Sequence, residues 1–573
     1  MATQTHFDAI IVGSGFGGSV MAYRLAKAGQ NVCLLERGKA YPPGSFPRTP
    51  STMSRNFWDP SEGLYGMFDV WSFEGLEGLV SSGLGGGSLI YANVLLRKDE
   101  KWFVNDDPDG DGQPWPITRA MLDPHYAEAE RMLGATPFPF AEKGYSDTPK
   151  TRAMFEAAQK IGRGLDIQLP PLAVTFGNPD RAPVPGEPIE GGEINLHGRH
   201  RLTCLMCGEC DAGCNYGSKN TLDYNYLSRA KELGADLRTL AEVRSFAPRR
   251  DAGTGYSVHY VQHDTEQTGK GRDTRALPLI ALTCDRLILS AGTFGTPYLL
   301  LKNQAGLPTL SKKLGSRFCG NGDLLTFAVN CSESGADGST KSRTMDPSRG
   351  PVITCALRLA DTADGGEEKG RGFYVEDAGI PSFMTWIFEM TDMGGGVKRV
   401  GDFVVERIKH ALHLSGGSHL SGAMSHLLGA GARSNCSLPL LGMGRDMPNG
   451  TMSLDDDGRL ANDWSMDNSK PYFDRVRGVM EELSNAWGAE HFQDNLLWYF
   501  NRVITVHPLG GCPMGDSIES GVVNSWGEVF GAPGLYVADG SVMPGPVGAN
   551  PSLTIAALSD RFATGIIEGK GER

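Results

Sequence analysis

Phe7-Asp8-Ala9-Ile10-Ile11-Val12 is a short apolar run of β-branched character. It is followed by Gly13-Ser-Gly15-Phe-Gly17-Gly18 and then by Ser19 to Ala28, rich in helix formers. The order strand, tight turn, helix is predicted from that change of period. Gly29-Gln30 breaks the helix, Asn31 to Leu35 supplies a second apolar strand, and Glu36 stands at its end, completing a βαβ unit. Further along, a Gly-rich stretch at Gly83 to Ser88, a strand-like Arg286-Leu287-Ile288-Leu289-Ser290 and a final Gly534-Leu535-Tyr536-Val537-Ala538-Asp539 repeat the same kind of element. These pieces lie at both ends of the chain. The expected fold is therefore α/β, with a Rossmann-like dinucleotide domain assembled from residues 1–114, 200–325 and 501–573. A second, substrate-binding α+β domain with an antiparallel sheet is expected from 115–199 and 326–500. Pro170 to Gly192, dense in Pro and Gly, reads as a loop.

No uninterrupted apolar run reaches the roughly 18 residues of a spanning helix, because Gly, Ser, His or a charge interrupts each candidate. Ala411 to Ala432, built of Gly, Ser, Ala, Leu and His without an acidic residue, allows a packed surface helix or a weakly amphipathic one in transient contact with a membrane surface.

Composition narrows the function classes. The 573 residues are 40% hydrophobic and 21% charged, as in a globular protein. A formal charge of -13 without a block of Lys or Arg argues against nucleic acid as a partner and favours a neutral small substrate. Met1 to His6 precede the first strand with no basic region and apolar stretch of a secretion signal, so a soluble, cytoplasmic protein is expected. Seven of the 11 cysteines are scattered singly and read as buried thiols of a reducing compartment.

Gly13, Gly15 and Gly18 fall where the first strand turns into a helix, and Glu36 follows 23 residues after Gly13. Each position has a physical duty: Gly13 for the tight turn, Gly15 for close approach of backbone amides to a pyrophosphate, Gly18 for packing of helix on strand, Glu36 to accept ribose hydroxyls. Glu36 alone does not separate FAD from NAD. Gly534 to Gly540, followed by Pro551-Ser-Leu-Thr-Ile-Ala556, looks like the strand and helix that close over a flavin's ribityl and pyrophosphate, which favours FAD.

Cys204-Leu-Met-Cys207-Gly-Glu-Cys210-Asp-Ala-Gly-Cys214 has the spacing of bacterial ferredoxin ligands, though Asn215 stands where those proteins carry Pro and no second cysteine run follows. An iron-sulfur centre, a zinc site and a structural thiol-rich turn are all open at this point. Asp107-Pro-Asp109-Gly-Asp111-Gly112 begins like a calcium loop, but Thr118 replaces the required Glu, so a solvated turn is expected.

The fingerprint, Gly85-Gly86-Gly87-Ser88, the stretch Ser290-Ala-Gly292-Thr-Phe-Gly-Thr-Pro297, and His507-Pro-Leu-Gly-Gly-Cys512 with Asn550-Pro551 together resemble the glucose-methanol-choline oxidoreductases, within them the cholesterol-oxidase-like subgroup. The matches follow the family's order over nearly the whole chain. The resemblance implies FAD held by the fingerprint with Gly86, Gly87, Ser88, Asn93, Gly292, Asp539 and Gly540, and a catalytic set of His507, Asn550 and Glu376. It implies oxidation of an apolar, steroid-like alcohol to a carbonyl by hydride transfer to flavin, with oxygen or an electron carrier re-oxidising it. Two other chemistries remain open: a dehydrogenase that passes electrons through a carrier or an iron-sulfur centre, and a lyase or decarboxylase on the same fold. The chemistry of the residues agrees with alcohol oxidation. A neutral imidazole accepts the hydroxyl proton, an amide orients the oxygen, and a carboxyl group in an apolar pocket has its pKa raised toward the useful range. In one place the chain departs from the subgroup: Tyr91 stands where an Asn follows the Gly-rich loop, with Asn93 two residues on.

Overall fold

The structure is a computed structural model that describes residues 5–104, 112–249, 254–267, 269–335, 337–382 and 432–570. Asp107 to Asp111 of the calcium-like turn and Ala411 to Gly431 of the Gly/Ser-rich stretch therefore lie outside the described residues.

Two sheets organise the chain. The first has seven strands, in the order Asp236–Arg238, Val32–Leu35, His6–Val12, Ile280–Leu289, Tyr256–Gln262, Ala241–Pro248, with Leu535–Val537 also paired to Ile280–Leu289. His6–Val12 is parallel to both of its neighbours and fully apolar from Ala9 onward, as a strand covered on both faces must be. The helix Phe16–Lys27 follows it directly and packs against the carboxyl-terminal helix Ser552–Glu568. The strand at 280–289 is longer than its apolar core at 286–290 suggests. Its first half pairs antiparallel with Tyr256–Gln262 and its second half pairs parallel with Leu535–Val537, which joins the middle of the chain to its end.

The second sheet is antiparallel throughout, in the order His491–Asp494, Leu324–Val329, Leu438–Gly444, Phe373–Asp377, Ala356–Leu359, Ile167–Gln168. The strand Phe373–Asp377 is buried at every position, and Glu376 stands opposite Leu441 on one neighbour and Ala356 on the other. Helix Lys470–Ala486 lays its Tyr472, Phe473, Val476, Met480 and Leu483 against this sheet, at the spacing of one helical face. Both the Rossmann-like architecture and the antiparallel sheet agree with the fold expected from the sequence. Among the described residues, no helix is long and apolar enough to cross a membrane.

Candidate functional site

At the first turn the glycines do what their spacing predicts. Gly13 has φ +98, a conformation that side chains rarely adopt, and a Cβ on Gly18 would collide with the carbonyl oxygen of Gly13. Gly17, not singled out by the motif, is the tightest of all, since its Cβ would fall inside the Ala538 carbonyl. A Cβ on Gly15, Gly87 or Gly292, by contrast, meets no protein atom within 4 Å. Open space above glycines at helix starts is what a pyrophosphate-binding cradle requires.

Glu36 is buried at the end of its strand. Its Oε2 accepts the Ser14 N–H at 3.0 Å and the Ser14 hydroxyl at 2.6 Å, while Oε1 accepts the Gly38 N–H at 2.8 Å. A carboxylate has about four acceptor sites, so capacity remains for a ribose hydroxyl. The Ser14 hydroxyl also accepts the Gly85 N–H at 2.9 Å, tying the Gly-rich turn to the fingerprint. Ser88 is engaged within the protein, donating to the Gly85 carbonyl at 2.7 Å and accepting the Leu222 N–H at 3.1 Å. Asp539 joins two further segments: one oxygen takes the Gly292 N–H and the Thr296 hydroxyl, the other the N–H and hydroxyl of Ser541, and the Gly540 carbonyl accepts the Gly510 N–H. Asn93 is wholly buried with φ 72, and neither atom of its amide has a protein partner. An orphaned buried amide costs stability unless a ligand satisfies it, so these residues fit a bound FAD. Tyr91 points elsewhere: its hydroxyl donates to the Asn220 carbonyl at 3.3 Å and its ring lies 4.7 Å from Lys219 Nζ.

His507, Asn550 and Glu376 come from three separate segments. Glu376 is fully buried, and burial pushes its carboxyl group up to about 8. Asn550 Nδ2 donates to Glu376 Oε2 at 3.3 Å, whereas Glu376 Oε1 and Asn550 Oδ1 are buried without protein partners. His507 is anchored by Asp323, whose Oδ1 lies 2.8 Å from the ring Nδ1. Sequence reasoning missed Asp323. It sits in Gly320-Asn-Gly-Asp323, a turn with no chemical signature of its own. The turn reaches His507 because 505–511 runs antiparallel beside it, with Cys319 and Leu509 exchanging both backbone hydrogen bonds at 3.0 Å.

The iron-sulfur expectation for Cys204, Cys207, Cys210 and Cys214 is not supported. Among the described residues, no three His, Cys, Asp or Glu side chains come together as a metal site. The cysteines line a space of about 20 Å³, room for roughly one water. Burial raises the thiols of Cys204 and Cys210 and pushes that of Cys207 up to about 12. What the segment does is pack: Gly208 donates to the Gly350 carbonyl at 2.9 Å, and buried Lys219 donates to the carbonyls of Leu89 at 3.1 Å and Cys210 at 2.9 Å. The seven single cysteines are all buried, as expected.

The chain thus carries a glycine-lined turn of the dinucleotide-cradle type, a buried carboxyl group bonded to an amide, and an imidazole anchored on a carboxylate. Residues 11–42 match the model for an NAD(P)-binding Rossmann-like domain, and residues 466–559 match that for GMC oxidoreductase. Cholesterol oxidase of Mycobacterium tuberculosis (strain ATCC 25618 / H37Rv) is 32% identical, covering 99% of this chain and 92% of that protein. Cholesterol oxidase of Acinetobacter baumannii is 28% identical over 97% of this chain and 93% of its own. A 2-methyl-1,2-propanediol dehydrogenase of Mycolicibacterium austroafricanum is 25% identical over 98% and 94%. The crystal structure of pyridoxine 4-oxidase from Mesorbium loti shares the fold, with a TM-score of 0.53 at 15% identity, covering 97% of this chain and 98% of that one. The chain belongs to the glucose-methanol-choline oxidoreductases, the FAD-dependent family whose members act on alcohols.

Proposed function

We propose that this protein oxidises the hydroxyl-bearing carbon of an apolar, steroid-like alcohol to a carbonyl. The observation that carries the reading is the hydrogen bond between Asn550 and Glu376, with one oxygen of each buried and unpartnered. Such atoms call for a polar group from a ligand, and an alcohol supplies one hydroxyl on an otherwise apolar body. Gly13, Gly15, Gly18, Glu36, Gly86, Gly87, Asn93, Gly292, Asp539 and Gly540 hold the FAD, which when bound supplies the acceptor for the hydride leaving the carbinol carbon.

The protein's own part is proton handling and orientation. His507 accepts the hydroxyl proton as the carbon–hydrogen bond breaks. Glu376, pushed up to about 8, carries a proton at pH 7 and donates a hydrogen bond to the oxygen rather than competing as base. Asn550 fixes the direction of the same oxygen and cannot titrate. The names of the two cholesterol oxidases among the relatives support a sterol substrate and oxygen as re-oxidant. The related propanediol dehydrogenase supports a carrier as the second reading.

Anaerobic mixing of the flavin-loaded protein with cholesterol, a long-chain primary alcohol and 2-methyl-1,2-propanediol tests the proposal. Bleaching of the flavin band by cholesterol above all is expected, with recovery on admitting oxygen. Product without bleaching would indicate a lyase, and bleaching that oxygen does not reverse would indicate a carrier.

A further inference from the structure

The turn Gly320–Asp323 touches both segments that carry the site's polar ends. Asp323, 2% exposed, receives every donor around it: Oδ2 accepts the backbone N–H of Val506 at 2.8 Å and of His507 at 3.1 Å and lies 3.1 Å from the Thr505 hydroxyl, while Oδ1 lies 2.8 Å from His507 Nδ1. Two residues earlier, buried Asn321 donates to the Ala549 carbonyl at 3.0 Å and accepts the Gly548 N–H at 2.8 Å, just before Asn550. The turn is itself held from the antiparallel sheet side. Gly320 N–H donates to the Asp446 carboxylate at 2.9 Å, Gly444 N–H to the Asn321 carbonyl at 2.9 Å, and the Tyr472 hydroxyl to the Gly322 carbonyl at 2.9 Å. Gly444 ends the strand whose Leu441 faces Glu376. One turn thus connects the elements bearing His507, Asn550 and Glu376.

The arrangement around Asp323 bears on which ring nitrogen carries the hydrogen. A carboxylate that takes two main-chain N–H groups on one oxygen acts as an acceptor on the other, so the hydrogen between Asp323 and Nδ1 belongs to the ring. In a neutral imidazole with Nδ1–H, the proton acceptor is Nε2. Orientation of a base by a buried carboxylate is worth a large factor, because the wrong tautomer presents a donor where an acceptor is needed.

We propose that Asp323 is a positioning residue that holds His507 as the Nδ1–H tautomer, leaving Nε2 free to receive the substrate proton. The inference rests on His507 being the proton acceptor for its consequence in turnover, but the tautomer is measurable without any reaction. Protein labelled with 15N-histidine, recorded at about pH 9 and assigned by comparison with His507→Gln, is expected to show a protonated Nδ1 and a bare Nε2 for His507. An Nε2–H tautomer in the wild type overturns the proposal, even where no variant folds. Asp323→Asn should keep its flavin, alter the His507 tautomer pattern, leave KM for cholesterol within about threefold and slow flavin reduction by about 10²- to 10⁴-fold. In a His507→Ala background the same substitution should cost nothing further. Wild-type tautomer and reduction rate in Asp323→Asn would overturn the assignment. A wild-type protein with the expected tautomer that no alcohol reduces would instead overturn the function proposed above.

Discussion

Asn550 and Glu376, 174 residues apart in sequence, meet through a single hydrogen bond from Nδ2 to Oε2 at 3.3 Å. The bond joins the loop before the last helix to the buried strand of the antiparallel sheet. It opposes, without cancelling, the effect of burial on Glu376. The pair therefore couples proton state to geometry.

Glu376→Gln is expected to change the pH profile more than the rate at pH 7. With an ordinary value of 4.5 raised to about 8, the folded protein binds more protons than the unfolded chain in that window, so stability falls as pH rises through it. Burial also raises Asp446 to about 7 and Asp211 to about 6, which adds slope of the same sign. Urea melts at pH 6 and 9 should show that Gln removes the upper part of this loss. Flavin reduction at pH 7 should fall about tenfold, the worth of one hydrogen bond, and the rate change near pH 8 should vanish.

His507→Ala should slow flavin reduction by about two to four orders of magnitude while substrate affinity changes less. Asn550→Ala should likewise act on the reduction rate more than on binding, because the second Nδ2 hydrogen, the one not given to Glu376, can donate to the oxygen as charge develops on it. Stopped-flow reduction of variants matched for flavin content measures both. Wild-type rates in both would make the pair structural.

Gly15→Val separates flavin binding from folding. The backbone at Gly15 has φ -66, open to any residue, and its Cβ meets no protein atom within 4 Å, so the variant should fold and lose flavin. Gly17→Ala should do the reverse damage, destabilising the fold by about 1–3 kcal/mol through overpacking on Ala538. Thermal melts alongside flavin absorbance distinguish the two.

Lys150→Met should destabilise by about 3–5 kcal/mol, the cost of stranding one member of a buried ion pair. Lys150 Nζ lies 2.7 Å from Asp377, both side chains being fully buried. Asp377 also accepts the N–H groups of Thr354 and Cys355, each at 2.8 Å. Because Asp377 adjoins Glu376, the variant should also move the pH near 8 at which flavin reduction changes, which the rate profile of the folded fraction reports.

What the sequence determined is local. Alternating strand, turn and helix and the glycine spacing at Gly13, Gly15 and Gly18 are readable, because backbone conformation and burial leave a period in neighbouring residues, whereas Glu376 is reached only through the family resemblance. The spacing at Cys204 to Cys214 was just as legible, yet spacing fixes only the order of possible ligands. Whether their sulfurs converge depends on what packs between them, here a turn clipped to Gly350 and Lys219. Tertiary structure alone decided that Asp323 holds His507 across 184 residues and that Asn550 reaches Glu376. Both contacts follow from sheet register and from the antiparallel run of 505–511 beside 317–323. Contacts between distant segments leave no period in either one, so only the folded chain could reveal them.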